Sequence, residues 1–80
     1  MPKTIDLTDY NDPVAKLFGD RLKERRRALG FTQAQLFSRT GITAAYISLV
    51  ERGRANPTLD IMVKLAEAVE AEAWDMIRPA

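Results

Sequence analysis

Neither cysteine nor histidine occurs anywhere in this sequence. Without cysteine no disulfide can staple the fold, and thiol usage says nothing about redox compartment. Without histidine the commonest general base near neutral pH and the usual zinc ligand are both gone. No apolar run approaches the ~18 residues of a membrane span. The opening, MPKTIDLTDY, is polar and acidic, unlike a secretory signal. None of the four glycines stands in a phosphate-cradling loop followed by Lys-Ser/Thr. Asp6, Asp9 and Asp12 lack the glycine and closing glutamate of a calcium loop. No catalytic residue, cofactor or metal is therefore expected. The 80 residues make one domain near the lower size limit at which a core holds without staples. A cytoplasmic domain with no membrane partner is the expectation.

What is present is a lopsided charge. Residues 1–20 carry two lysines against four aspartates, and residues 55–80 carry Lys64 and Arg78 against five acids. Between them, residues 21–54 carry eight basic side chains against Glu24 and Glu51, a balance of +6. Such a patch is the electrostatic footprint of a nucleic-acid binder, although a basic helix face is often merely solvated.

That patch surrounds the most informative stretch, TQAQLFSRTGITAAYISLVERG, from Thr32 to Gly53. Thr32 with Gln35 reads as a capping box opening a helix, and Gly41 can end it in a left-handed conformation. Leu36, Phe37 and Thr40 give that helix a mostly apolar face. Thr43 then caps a second helix with Ile47 and Val50 inward and Tyr46 at the margin, ending at Gly53. Two short capped helices joined at a glycine form a helix-turn-helix.

The flanks complete an all-α domain of five helices. Residues 1–11 read as an arm, with a short strand over Thr4–Thr8 as the lesser alternative. Residues 12–80 form the folded unit. Asp12 caps and Pro13 starts a first helix whose stripe is Val14, Leu17, Phe18, Leu22 and Leu29, stopping at Gly30. Gly19 inside it marks either a close helix crossing or a later helix start. Arg25, Arg26 and Arg27 are each about 100° apart around the axis, so they cannot share a role. After Asn56-Pro57, Thr58 caps a fourth helix with stripe Leu59, Met62, Leu65, Ala66 and Val69. A short fifth helix holds Trp74, Met76 and Ile77.

The segments RLKERRRALGFTQAQL, the Gly41 turn, YISLVERGRANPTLDIMVKLAEAV and EAWDMI together resemble the lambda-repressor-like, or Xre-type, helix-turn-helix regulators. The small size also resembles restriction–modification controller proteins, and equally a phage repressor head or a toxin–antitoxin repressor. The resemblance implies that Gln33 contacts DNA backbone and that the helix from Ala44 to Arg52 enters the major groove. Thr43, Ala44, Ala45 and Ser48 would lie nearest the bases, with Arg54 and Asn56 on backbone. It also implies an Arg26–Glu51 pair joining the first helix to the end of the recognition helix, and Trp74 packed into the core. Arg52 and Arg39 are further candidate phosphate contacts. Two departures stand out: Ala44 and Leu49 cannot hydrogen-bond a base edge, and Phe37 occupies a place usually given to alanine.

The reading that follows is a sequence-specific double-stranded DNA-binding regulator. It would act as a homodimer on a pseudo-palindromic operator, as an autoregulatory controller or repressor. Ile61, Met76 and Ile77 exceed what one narrow core stripe requires and are the expected dimer surface. The alternative is an antitoxin-type interaction module that also binds its own promoter. A toxin or RNA polymerase is the corresponding protein partner.

Overall fold

The computed structural model describes residues 12–79, so the expected arm of residues 1–11 lies outside the described residues. Four α-helices are present: α1 (Pro13–Ala28), α2 (Gln33–Thr40), α3 (Ala44–Glu51) and α4 (Leu59–Ala68). The expected fifth helix is instead one turn of 3-10 helix, Ala73–Met76. The segment ends at Pro79 before a second turn forms, and Glu72 supplies no side-chain cap. No strand is found among the described residues.

Each α-helix starts where a side-chain oxygen takes up orphan amides. Asp12 Oδ1 accepts from the backbone N–H of Val14 at 2.7 Å, and Thr32 and Gln35 form a complete capping box. Thr43 Oγ1 accepts from Tyr46 N–H and Thr58 Oγ1 from Ile61 N–H, both at 3.2 Å. The other ends follow one pattern. Behind α1, α3 and α4, residues Phe31, Arg54 and Ala71 donate N–H bonds back to Arg26, Leu49 and Ala66. Each leaves the preceding residue left-handed: Gly30 at φ 77°, Gly53 at 70°, and Glu70 at 59°. These are Schellman endings, and only the third lacks glycine.

Phe18, Leu22, Leu36, Ile47, Val50, Leu65, Val69 and Met76 form the buried centre. Gly19 is a close crossing. A Cβ there would overlap the Val50 carbonyl oxygen and sit 3.1 Å from that of Glu51, so only glycine lets α1 lie against the end of α3. On the other flank of α1, Arg21 Nη1 donates to the carbonyls of Asp75 (2.9 Å) and Arg78 (2.6 Å). Arg25 donates to those of Val69 and Glu70, both at 3.1 Å. These two arginines tie the C-terminal turn to α1.

Several expected core positions lie elsewhere. Phe37 is 47% exposed, so it turns aside and leaves the α2–α3 crossing to Leu36 and Ile47. Val14 and Leu59 start their helices beyond the reach of the opposing layer and are largely exposed. Trp74 is 55% exposed and does not enter the core. Its Nε1 donates to Glu72 Oε2 at 2.7 Å, and the Arg78 guanidinium lies 4.7 Å from its ring centre. Met76 fills the place expected of the tryptophan and is 1% exposed.

Candidate nucleic-acid interface

The arrangement of α3 follows from which of its side chains the core claims. Ile47, Val50 and Glu51 point inward, leaving Ala45, Leu49 and Arg52 as one exposed row at i, i+4 and i+7. Ala44 and Ser48 flank that row and are half-buried, so the outward face is centred further round the helix than the candidate residues imply. Leu49 belongs to the face, although its lack of hydrogen-bonding groups had argued against it. Thr43 is exposed, but its oxygen is engaged in the cap. Its first two members are apolar and uncharged, and Arg52 closes it with a cation. A helix so faced can approach another surface closely.

Behind that face a polar junction holds three helices together. Arg26 makes a two-pronged pair with Glu51, Nε to Oε2 at 2.7 Å and Nη2 to Oε1 at 2.9 Å. Its third arm, Nη1, donates to the Phe31 carbonyl at 2.8 Å, bracing the turn into α2. Gln33 Nε2 donates to Glu51 Oε1 at 3.1 Å. Glu51 is 4% exposed, so this carboxylate needs all three donors to offset its burial. The bond to Glu51 raises the Arg26 pKa above its ordinary value; burial opposes it and the carboxylate charge adds to it. Gln33 is thereby fixed at the first turn of α2 with its side chain committed to the junction, a tie that spacing alone does not reveal.

Several exposed cations have no carboxylate partner among the described residues. Lys16, Lys64 and Arg78 each pair with an aspartate on their own segment. Lys23, Arg27, Arg39, Arg52 and Arg54 are exposed and do not. Arg39 lies over the Phe31 ring at 4.2 Å, which orients its guanidinium. Arg52 Nε turns back to the Ser48 carbonyl at 3.3 Å. Asn56 is exposed in the connection after α3. Among the described residues no cluster of His, Cys, Asp or Glu could hold a metal ion. No helix there is long and apolar enough to cross a membrane.

The expected dimer residues differ in exposure. Met76 is buried within its own chain and has nothing to offer a second copy. Ile61 and Ile77 are half-buried and packed on the core. At about 100° per residue, Leu59 and Val63 sit on the opposite flank of α4 from Ile61, and both are exposed.

Comparison with known proteins places this geometry. The HTH_3 helix-turn-helix family profile matches residues 22–70. An uncharacterized HTH-type transcriptional regulator, y4dJ of Sinorhizobium fredii, is 36% identical over 66 residues, covering 82% of this chain and 86% of that protein. The cryptic phage CTXphi transcriptional repressor RstR of Vibrio cholerae is 37% identical over 51 residues, covering 64% of this chain and 46% of that one. Among solved structures, the restriction-modification controller protein C.AhdI of Aeromonas hydrophila superimposes with a TM-score of 0.72 at 37% identity. That match covers 78% of this chain and 94% of the controller protein. With its capped α2 and α3 joined at Gly41 and its profile match over residues 22–70, this chain belongs to the Xre-type helix-turn-helix family.

Proposed function

We propose that the protein is a sequence-specific, double-stranded DNA-binding transcriptional regulator that lays α3 in the major groove. The observation that carries this reading is the exposed Ala45–Leu49–Arg52 row of α3, followed by exposed Arg54, in a helix-turn-helix whose Arg39 and Arg54 have no carboxylate partner among the described residues. Small and apolar side chains let the helix sit deep and touch thymine methyl groups, while the arginines meet phosphates. Gln33 contributes through the first turn of α2, where free amides attract a phosphate. Arg54 and Asn56 contact backbone, Thr43, Ala44 and Ser48 border the bases, and few bases per half-site are strongly specified. Part of the preference then comes from how readily the intervening DNA bends.

One such helix reads only a few base pairs, so we place a homodimer on a pseudo-palindromic site with half-sites about 34 Å apart. The exposed Leu59–Val63 edge of α4 is the favoured contact, with Ile61 directed to the other flank. A small regulator that dimerises on its own operator is suited to autoregulation by concentration, as a controller or repressor. The relative named a repressor and the neighbour named a controller protein support this choice. The same apolar edge also fits a protein partner such as a toxin, the second reading. Binding sites selected from random duplexes and then footprinted test the proposal. A protected two-fold repeat is expected, and a selection that enriches nothing would overturn it.

A further inference from the structure

The cations on α1 bear on this reading. Arg25, Arg26 and Arg27 diverge as helix geometry requires: Arg25 to the C-terminal segment, Arg26 to Glu51, and Arg27 to solvent. The side of α1 away from Arg21 and Arg25 follows a ridge of alternating three- and four-residue steps, Lys16, Gly19, Lys23 and Arg26. Three members of that ridge meet the end of the recognition helix. Lys16 lies about 3 Å from where a Cβ on Gly53 would stand, Gly19 abuts Val50 and Glu51, and Arg26 grips Glu51. The fourth, Lys23, stands between Gly19 and Arg26 and is exposed. Arg27 follows it one turn on, also exposed, and neither has a carboxylate partner among the described residues. Asp20, on the same side, is already taken by Lys16 at 2.6 Å.

Exposed cations with no carboxylate partner among the described residues need a reason. Arg52 and Arg54 follow directly on the C-terminal end of α3, where the carbonyl dipoles themselves favour cations, and Lys23 shares the α1 ridge whose Lys16, Gly19 and Arg26 meet that end, with Arg27 one turn further along α1. We infer that Lys23 and Arg27 form a phosphate clamp on α1 that grips the operator strand running past the end of the recognition helix. The inference rests on the docking of α3 proposed above. It adds a second contact line, because α1 lies behind the base-reading face rather than on it. A backbone contact of this kind adds affinity and register without sequence preference. Each phosphate neutralised contributes about 0.9 to the slope of log K against log salt.

The test is a salt titration of wild type, Lys23→Ala, Arg27→Ala, Lys23→Arg and, as a control outside α1, Lys64→Ala on the duplex enriched by selection. Lys23→Ala and Arg27→Ala are each expected to lower the salt slope by roughly 0.9 while leaving sequence preference and melting temperature unchanged. Lys23→Arg and Lys64→Ala are expected to keep the wild-type slope. Unchanged slopes for both alanine variants, with wild type still binding and footprinting normally, overturn the clamp and leave the docking of α3 intact. A wild type that binds no duplex overturns the docking itself.

Discussion

Gln33 Nε2 and Arg26 Nη2 donate to one and the same oxygen, Oε1 of Glu51, at 3.1 and 2.9 Å. A single carboxylate thus fastens the beginning of α2 and the end of α1 to the last turn of α3. Removing it strands the Arg26 guanidinium and frees Gln33. Glu51→Ala should therefore cost about 3–5 kcal/mol, the range for breaking a buried pair. DNA affinity should fall with it, since Gln33 and α3 lose their common anchor. Thermal melting checks the first expectation, and an unchanged melting temperature would count against the junction.

The pH dependence of this pair has a definite sign. The Arg26 pKa is raised, first by its hydrogen bond to Glu51. A raised cation contributes stability that is fully present below its unfolded pKa and is lost only as pH climbs through the folded value. The stability gap between wild type and Glu51→Ala should therefore stay constant from about pH 7 to pH 9. Denaturant titrations across that window measure it, and a gap that shrinks there would contradict the assignment.

Gly19→Ala places a methyl group onto the Val50 carbonyl oxygen. Backbone cannot swing away as a side chain can, so α1 must lift from α3. A loss of about 1–3 kcal/mol is the usual cost of overpacking, despite alanine's better helix propensity. A stabilised Gly19→Ala protein would show that the crossing is looser than described.

Glu70 stands at φ 59° in a turn that α1 and α3 end with glycine. A non-glycine residue there carries roughly 1–2 kcal/mol of strain, partly offset by the lower entropy of its unfolded chain. Glu70→Gly should raise stability by about 1 kcal/mol, or roughly 4–8 °C in melting temperature for a domain of this size. The bond from Arg25 ends on the Glu70 carbonyl and survives the change.

Leu59→Ser with Val63→Ser removes the exposed apolar edge of α4 without touching the core. If the proposed dimer forms through this edge, sedimentation should show wild type as a dimer and the double variant as a monomer of nearly unchanged stability. Ile61→Ser, on the other flank, should leave assembly intact. The opposite pattern would move the interface to the Ile61 flank.

Much of the fold was legible in the chain because helix ends are local. Asp12, Thr32, Thr43 and Thr58 announce starts and Gly30, Gly41 and Gly53 announce stops within four residues, so α1 to α4 followed from spacing. The Arg26–Glu51 pair came from the family resemblance, and its third member, Gln33, did not. Depth of burial was less legible. Periodicity says which side of a helix faces inward, but not how far the opposing layer extends, so the apolar stripes run on through Val14 and Leu59 where the core stops short, whereas Phe37, in a place usually given to alanine, turns aside. Trp74 and Met76 exchanged places because one turn of 3-10 helix rotates its side chains differently from the α-helix that was expected. The turn over residues 70–72 was legible from where the α4 stripe stops, but its left-handed backbone was not, since glutamate does not advertise one.

The docking of α3 against DNA is tested most directly by Ala45→Glu. Ala45 is exposed in the first turn of α3, where a carboxylate complements the helix dipole, so the variant should melt at or above the wild-type temperature. Against DNA the same carboxylate meets phosphate and base-edge acceptors. Measured by titration on the selected duplex, affinity should fall at least tenfold, about 1.4 kcal/mol. A folded Ala45→Glu protein that binds that duplex as tightly as wild type, with the same footprint, would contradict the placement of α3 in the groove.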